Sequence, residues 1–380
     1  MKGRRIAEAV AIAAASVALL GLLEVAVRVW DRLSDGEWPR TRMVAFYDEI
    51  GRSFSLYRRH AFLNTAPREG HASAAFGKSA SFNSLGYRSP ERPFAKPDGV
   101  VRLLVAGGST SFDLLASDDR ATWPATLEGL LNASIGDGDC RVEVWNAGFP
   151  GWTSVENNVS LILRDLDLKP DFALFFQGIN DLQAASLVPF DRAYESHAAE
   201  ARRALGFELR PLGWLDRSLL LEKLRGRESQ DPWGRIGPGH GAERLERLPK
   251  ASVDAFATHV KAFMSLVHGA GGRPMLMTQS LRLRAEHLDA DRRYLGGWLP
   301  GLEPDAAARE LERLNAVLRA AAGEDGLLDA ASDVPWIDAD FGDAMHFQAA
   351  GSDKLARFVA ERLVDDVGHA CTRVAPKPNS

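Results

Sequence analysis

Apolar residues in this chain fall into two kinds of run. Short continuous ones occur at "VRLLVA" (101–106), "RVEVWN" (141–146), "DFALFFQ" (171–177) and "PMLMTQ" (274–279). Each is short, largely apolar and closed by Gly, Asn, Gln or Ser, as strands buried on both faces are. Between them apolar positions recur at helical spacing. Leu127, Leu130 and Leu131 mark a helix from about Trp123 to Asn132 with Pro124 in its first turn. Val253, Phe256, Val260, Phe263, Met264 and Val267 mark a second, and Leu355, Phe358, Val359, Leu363 and Val367 a last one. Strands alternating with helices from residue 100 onward predict an α/β protein with a mainly parallel sheet covered on both faces.

The N-terminus has a different pattern. Lys2, Arg4 and Arg5 precede an uncharged run from Ala9 to Leu23, and apolar character continues past Glu24 and Arg28 to Trp30. Ile6 to Val29 is long enough to cross a bilayer, which takes about 20 residues. Basic residues before the span place the N-terminus in the cytoplasm, and Trp30 suits the far interface. A cleaved signal peptide would end at an A-x-A-like site, and the positions three before Ala26 and its neighbours are large or charged. An uncleaved anchor over residues 1–32 is therefore expected, ahead of a cleaved signal or an amphipathic soluble helix.

Residues 33–98, rich in Arg, Ser and Pro, read as a juxtamembrane and approach segment, ending in the turn-rich "FNSLGYRSPERPFAKPDG" (82–99). The main domain is expected over 99–370, with a flexible tail at 371–380. A long stretch at 184–249 breaks the strand–helix rhythm and contains "DPWGRIGPGHG" (231–241). Insertions of this length are functional or loosely ordered. A substrate-facing lid and a tolerated surface insertion are both open readings.

Composition narrows the classes. At 380 residues and net charge −5 the chain has ample material for a core and no basic stripe for nucleic acid. Cys140 and Cys371 have no metal or CxxC spacing and would pair only in an oxidising compartment. No His/Cys/Asp cluster has zinc spacing, and no GK[ST] or GxGxxG loop follows the first strand, so neither a metal nor a cofactor is expected.

Ligand sites in doubly wound sheets lie beyond the carboxyl ends of the strands. Four segments fall there: "GGSTS" with Ser109, "NAGFPGWTS" with Gly148 and Gly151, "QGIND" with Asn180, and "DFGDAMHFQAAG" with Asp343 and His346. A serine hydroxyl needs an imidazole to take its proton, and the imidazole a carboxylate to fix its tautomer. A tight glycine turn and a side-chain amide can supply oxyanion donors. Taken singly these are a helix cap, turn glycines, a helix start and a solvated histidine; together, in this order, they are the parts of an acyl-transfer site. His60, His71, His240 and the other histidines read as surface or packing residues.

The set resembles the SGNH (GDSL-like) hydrolase family over roughly residues 82–367. The resemblance implies a flavodoxin-like α/β/α sandwich with about five parallel strands, Ser109 as nucleophile, His346 as base and Asp343 as its partner. It implies an oxyanion hole from the N–H groups of Ser109 and Gly151 and the Asn180 amide. Gly108 stands where the family's first block has aspartate. The implied activity is a membrane-anchored envelope esterase cleaving O-acyl, above all O-acetyl, esters of a glycan or lipid. O-acyltransferases share these blocks, and an inactive glycan-binding or assembly protein is the alternative outside catalysis. Periplasmic placement follows from the anchor, with no nucleic-acid partner.

Overall fold

The computed structural model describes residues 2–36, 38–45, 55–63, 65–73, 79–136, 138, 140–187, 189–198, 213–225, 244–282, 289–299, 301–323 and 326–374. The chain divides into two compact units. One comprises residues up to 52 with 203–237, the other 53–202 with 238–380. The motif "DPWGRIGPGHG" and His240 lie outside the described residues.

The first unit is built on helix α1 (Lys2–Asp35), which is long and apolar enough to cross a membrane. Its residues from Arg4 to Leu23 are all exposed.

The second unit, besides two short antiparallel strand pairs within 57–81, is built on a five-stranded, wholly parallel sheet: β1 (Val100–Gly107), β2 (Arg141–Asn146), β3 (Phe172–Phe176), β4 (Arg273–Met277) and β5 (Leu327–Leu328). Its order is β2-β1-β3-β4-β5, the flavodoxin-like order. The helices are α2 (Trp123–Ile135), α3 (Ser154–Ser160), α4 (Ile179–Ser186), α5 (Leu219–Arg225, in the first unit), α6 (Lys250–Gly269), α7 (Asp289–Trp298), α8 (Ala307–Ala322) and α9 (Ala349–Val374).

Strand alternation divides the interior into two cores. Val101, Leu103, Val105, Phe172, Leu174 and Phe176 face Trp123, Leu127 and Leu131 of α2 and Leu355, Val359 and Leu363 of α9. Leu104, Ala106, Ala173 and Phe175 face the other way, onto Phe256, Val260 and Phe263 of α6 and Leu311 and Leu314 of α8. With both faces covered, β1 and β3 have no solvent side, so their sequences run apolar without alternation, save for Arg102 of β1, whose buried guanidinium pairs with Glu143. The expected helix at Trp123 extends to Ile135, with Thr122 as its N-cap accepting from Ala125 N–H.

Strand β2 is an edge, and side chains cover it. Asn132 of α2 pairs with both the N–H (2.9 Å) and C=O (3.0 Å) of Val142. Val144 N–H donates to Glu128 (2.6 Å), and Arg92 donates to Val144 C=O (3.1 Å) while also pairing with Glu128. Asn146 N–H donates to Ser89 Oγ and Asn146 C=O accepts from Arg88 N–H. The approach segment thus takes the place of a sixth strand.

A disulfide joins Cys140, just before β2, to Cys371 near the end of α9, with Cα atoms 5.5 Å apart. Position 371, expected to open a flexible tail, lies within α9, which runs on to Val374. The helix keeps its apolar stripe through Val367, Ala370 and Cys371, all buried; residues 375–380 lie outside the described residues. Residues 213–225 of the long insertion belong with α1 in the first unit.

Candidate active site

β1 feeds directly into one helical turn, Ser109–Phe112, preceded by Gly108. Chain order puts β2 on one side of β1 and β3 on the other, so Ser109 and the start of α4 flank the switch point where the sheet order reverses. His346 Nε2 lies 2.8 Å from Ser109 Oγ, and His346 Nδ1 lies 2.7 Å from Asp343 Oδ2. Asp343 Oδ1 also accepts the N–H groups of Met345 (2.9 Å) and His346 (2.8 Å). That closes the Asp–x–x–His turn on itself and presents the ring edge to the carboxylate. Ser109 is 7% and His346 5% exposed. Burial is the largest influence on Asp343 and raises its carboxyl, but the His346 ring and the two amides together outweigh it and hold it below the usual range.

Asn180 lies on the first turn of α4, and its Nδ2 donates to Trp152 C=O at 2.7 Å. This bond fixes which end of the amide faces Trp152 and leaves the second N–H uncommitted among the described residues. Gln177 Nε2 donates to the same carbonyl at 2.7 Å. The Gly151 turn and the Asn180 helix are thereby tied through one oxygen. Gly151 takes φ +84°, a left-handed conformation suited to glycine. Its N–H makes no hydrogen bond among the described residues. Ser109 N–H, first in its helical turn, has no intrahelical partner. Gly148, also put forward from the sequence, donates its N–H to Asn146 Oδ1 and is a structural turn residue.

Gly108 has a local reason. A Cβ built there would stand 2.3 Å from Asn180 Nδ2. Nucleophile turn and amide approach so closely that no side chain fits between them. An aspartate at this position is incompatible with Asn180 where it lies.

Several buried polar groups that support these residues escaped the sequence reading. Gln279, at the end of β4, donates to Thr110 Oγ1 (2.8 Å) and accepts Ile179 N–H (2.7 Å), joining the residue after Ser109 to the residue before Asn180. Its own backbone is held by Asn315. The strand-end rule that picked out Asn180 applies to Gln279 as well. Asp113, in a left-handed conformation, accepts Trp123 N–H and the Ser352 hydroxyl, and burial pushes its carboxyl up to about 6. Asp181 accepts Ser154 N–H, the Ser154 hydroxyl and Gln177 Nε2, and burial pushes it likewise to about 6. Of the histidines read as surface or packing residues, His259 Nδ1 bonds Ser154 Oγ at 2.8 Å and His197 Nε2 bonds Gln183 at 3.0 Å.

Fold and site together define a flavodoxin-like α/β/α protein with a hydrogen-bonded Ser–His–Asp chain at its topological switch point. No family model matches the sequence, and no curated protein matches it. Among solved structures the chain is similar to the lipase/acylhydrolase from Enterococcus faecalis, with 17% identity, 70% of this chain and 96% of that one covered, and a TM-score of 0.40. A catalytic mutant of an acetylxylan esterase from Geobacillus stearothermophilus matches at 17% identity, covering 69% and 94%, with a TM-score of 0.39. A GDSL-like lipase from Bacteroides thetaiotaomicron matches at 11% identity, covering 70% and 88%, with a TM-score of 0.38.

Proposed function

We propose that this chain is a membrane-anchored serine esterase of the SGNH type that cleaves O-acyl, above all O-acetyl, esters on a glycan or lipid outside the cytoplasm. One observation carries the reading: the unbroken hydrogen-bonded chain from Ser109 through His346 to Asp343. In this reading Ser109 Oγ attacks the ester carbonyl while its proton passes to His346 Nε2. The imidazolium is stabilised by Asp343, whose carboxylate stays ionised at neutral pH. Charge developing on the carbonyl oxygen is met by the N–H groups of Ser109 and Gly151 and the spare N–H of Asn180. Collapse of the tetrahedral intermediate breaks the ester C–O bond. His346 returns the proton to the departing alkoxide, and the acyl group stays on Ser109. A water then gives its proton to His346, attacks the acyl carbonyl and, on collapse, releases the acid and restores the Ser109 hydroxyl.

The exposed apolar α1 supports the anchor, with the basic N-terminus on the cytoplasmic side. The Cys140–Cys371 bridge supports an oxidising, extracytoplasmic setting for the second unit. The test is fluorophosphonate labelling and nitrophenyl acetate cleavage by the full chain, beside Ser109→Ala and His346→Ala. Loss of both signals in both variants is expected. A folded parent protein that neither labels nor turns over would refute the esterase and leave a binding role. Transfer to an added sugar acceptor in place of hydrolysis would move the activity to an O-acyltransferase with the same triad.

A further inference from the structure

Within the first unit, residues 213–225 are fastened to one level of α1. Glu24 accepts the Ser218 hydroxyl (2.8 Å) and the N–H groups of Leu219 and Leu220 (both 2.9 Å), capping the start of α5. Arg28 donates to Arg217 C=O (2.6 Å), and Asp31 pairs with Lys223 (2.7 Å). The chain after α1 returns to the same level. Thr41 donates to Asp216 C=O, and Arg42 N–H donates to Glu222. Residues 213–225 are therefore bonded to α1 from Glu24 to Asp31, a height of about 10 Å at 1.5 Å per residue, and 38–45 are bonded to them in turn.

This level has a physical meaning if α1 spans the membrane. Ile6 to Leu23 covers about 27 Å, close to the hydrocarbon thickness, so Glu24 falls at the start of the headgroup layer. A carboxylate there needs partners, and the cap of α5 provides three. These residues also include large exposed apolar side chains: Trp30 (71%), Trp38 (67%), Trp214 (78%) and Leu224 (72%). Tryptophans flanked by Arg and Lys at the end of a span are the composition of a membrane interface.

We propose that residues 213–225, with 38–45, form a collar lying in the outer headgroup layer, with Trp214 and Leu224 in contact with lipid. The occupant of this surface is the phospholipid bilayer that α1 crosses, and the proposal rests on the anchor reading above. It gives this part of the long insertion a role distinct from a lid.

The test uses the full chain reconstituted in phosphatidylglycerol–phosphatidylethanolamine vesicles. A fluorophore is placed by Trp214→Cys, Leu224→Cys or Ile12→Cys. The native cysteines are protected by their disulfide. Quenching by lipids with nitroxide near the headgroup is compared with quenching by lipids with nitroxide deep in the chain. Positions 214 and 224 should be quenched several-fold more by the shallow probe, and position 12 more by the deep one. Unquenched 214 and 224 beside a deeply quenched 12 would overturn the collar and leave the anchor standing. Deep quenching at 214 or 224 would overturn the interfacial placement. An unquenched position 12 would overturn the anchor, and the collar with it.

Discussion

Adding a single methyl group at Gly108 probes the closest approach in the site. The new Cβ would meet Asn180 Nδ2 at 2.3 Å, about 1 Å inside van der Waals contact, so one partner has to move by that amount. Gly108 is fixed between a buried strand and the Ser109 turn, which leaves the amide as the mobile partner. A shift of about 1 Å would carry its 2.7 Å bond to Trp152 past the N–H···O limit near 3.2 Å. The amide would then lose both its anchor and its aim. Loss of one oxyanion donor costs about 10²–10³-fold in kcat, so Gly108→Ala should fall by that factor although it removes no functional group. Because the donor acts only on the transition state, kcat and kcat/KM should fall together. Nitrophenyl acetate hydrolysis by Gly108→Ala, Asn180→Ala and the double variant reads this directly. The two single losses should be alike and the double variant no worse than either, since both delete one interaction. A Gly108→Ala enzyme near parental kcat beside a crippled Asn180→Ala would refute the steric account. Additive losses would refute the shared origin.

Two further outcomes concern stability. Free-thiol titration of unreduced, denatured protein should find none, and Cys140→Ser should lower unfolding stability by about 2–5 kcal/mol; a thiol signal of two per chain would show the bridge unformed. Asp113 and Asp181, pushed to about 6 by burial, bind protons more readily folded than unfolded. Their contribution is full below the ordinary carboxylate range and is lost as pH rises through about 6, by roughly 1–4 kcal/mol each. Melting temperatures from pH 4.5 to 7.5 should therefore decline less steeply in Asp113→Asn than in the parent. Parallel curves would contradict the burial argument.

The sheet was legible because burial on both faces leaves an unbroken apolar run, as in "DFALFFQ". Strand β5 was not: Leu327–Leu328 is too short to carry any period. The Asp343–His346 pair was readable as a local spacing. Its approach to Ser109 spans 237 residues and was inferred only by placing both segments at the carboxyl edge of the sheet and from the motif resemblance. Nothing local in the sequence singles out Asp113 and Asp181, since their partners Ser352 and Ser154 lie far along the chain. The question of Cys140 and Cys371 could not be closed from spacing, because only the fold brings the start of β2 to the end of α9.

The side-chain covering of β2 has a consequence for where the folded body truly begins. Ser89 and Arg92 do for the outer edge what a neighbouring strand would do, and both precede residue 99. A protein cut to the expected 99–370 boundary would keep all five strands and the triad, yet leave Val144 C=O and Asn146 N–H and C=O unpaired along a free border. Two such borders can join to each other in a continuous ladder, so the shortened molecule would be prone to self-association. The approach segment therefore also guards the protein against copies of itself.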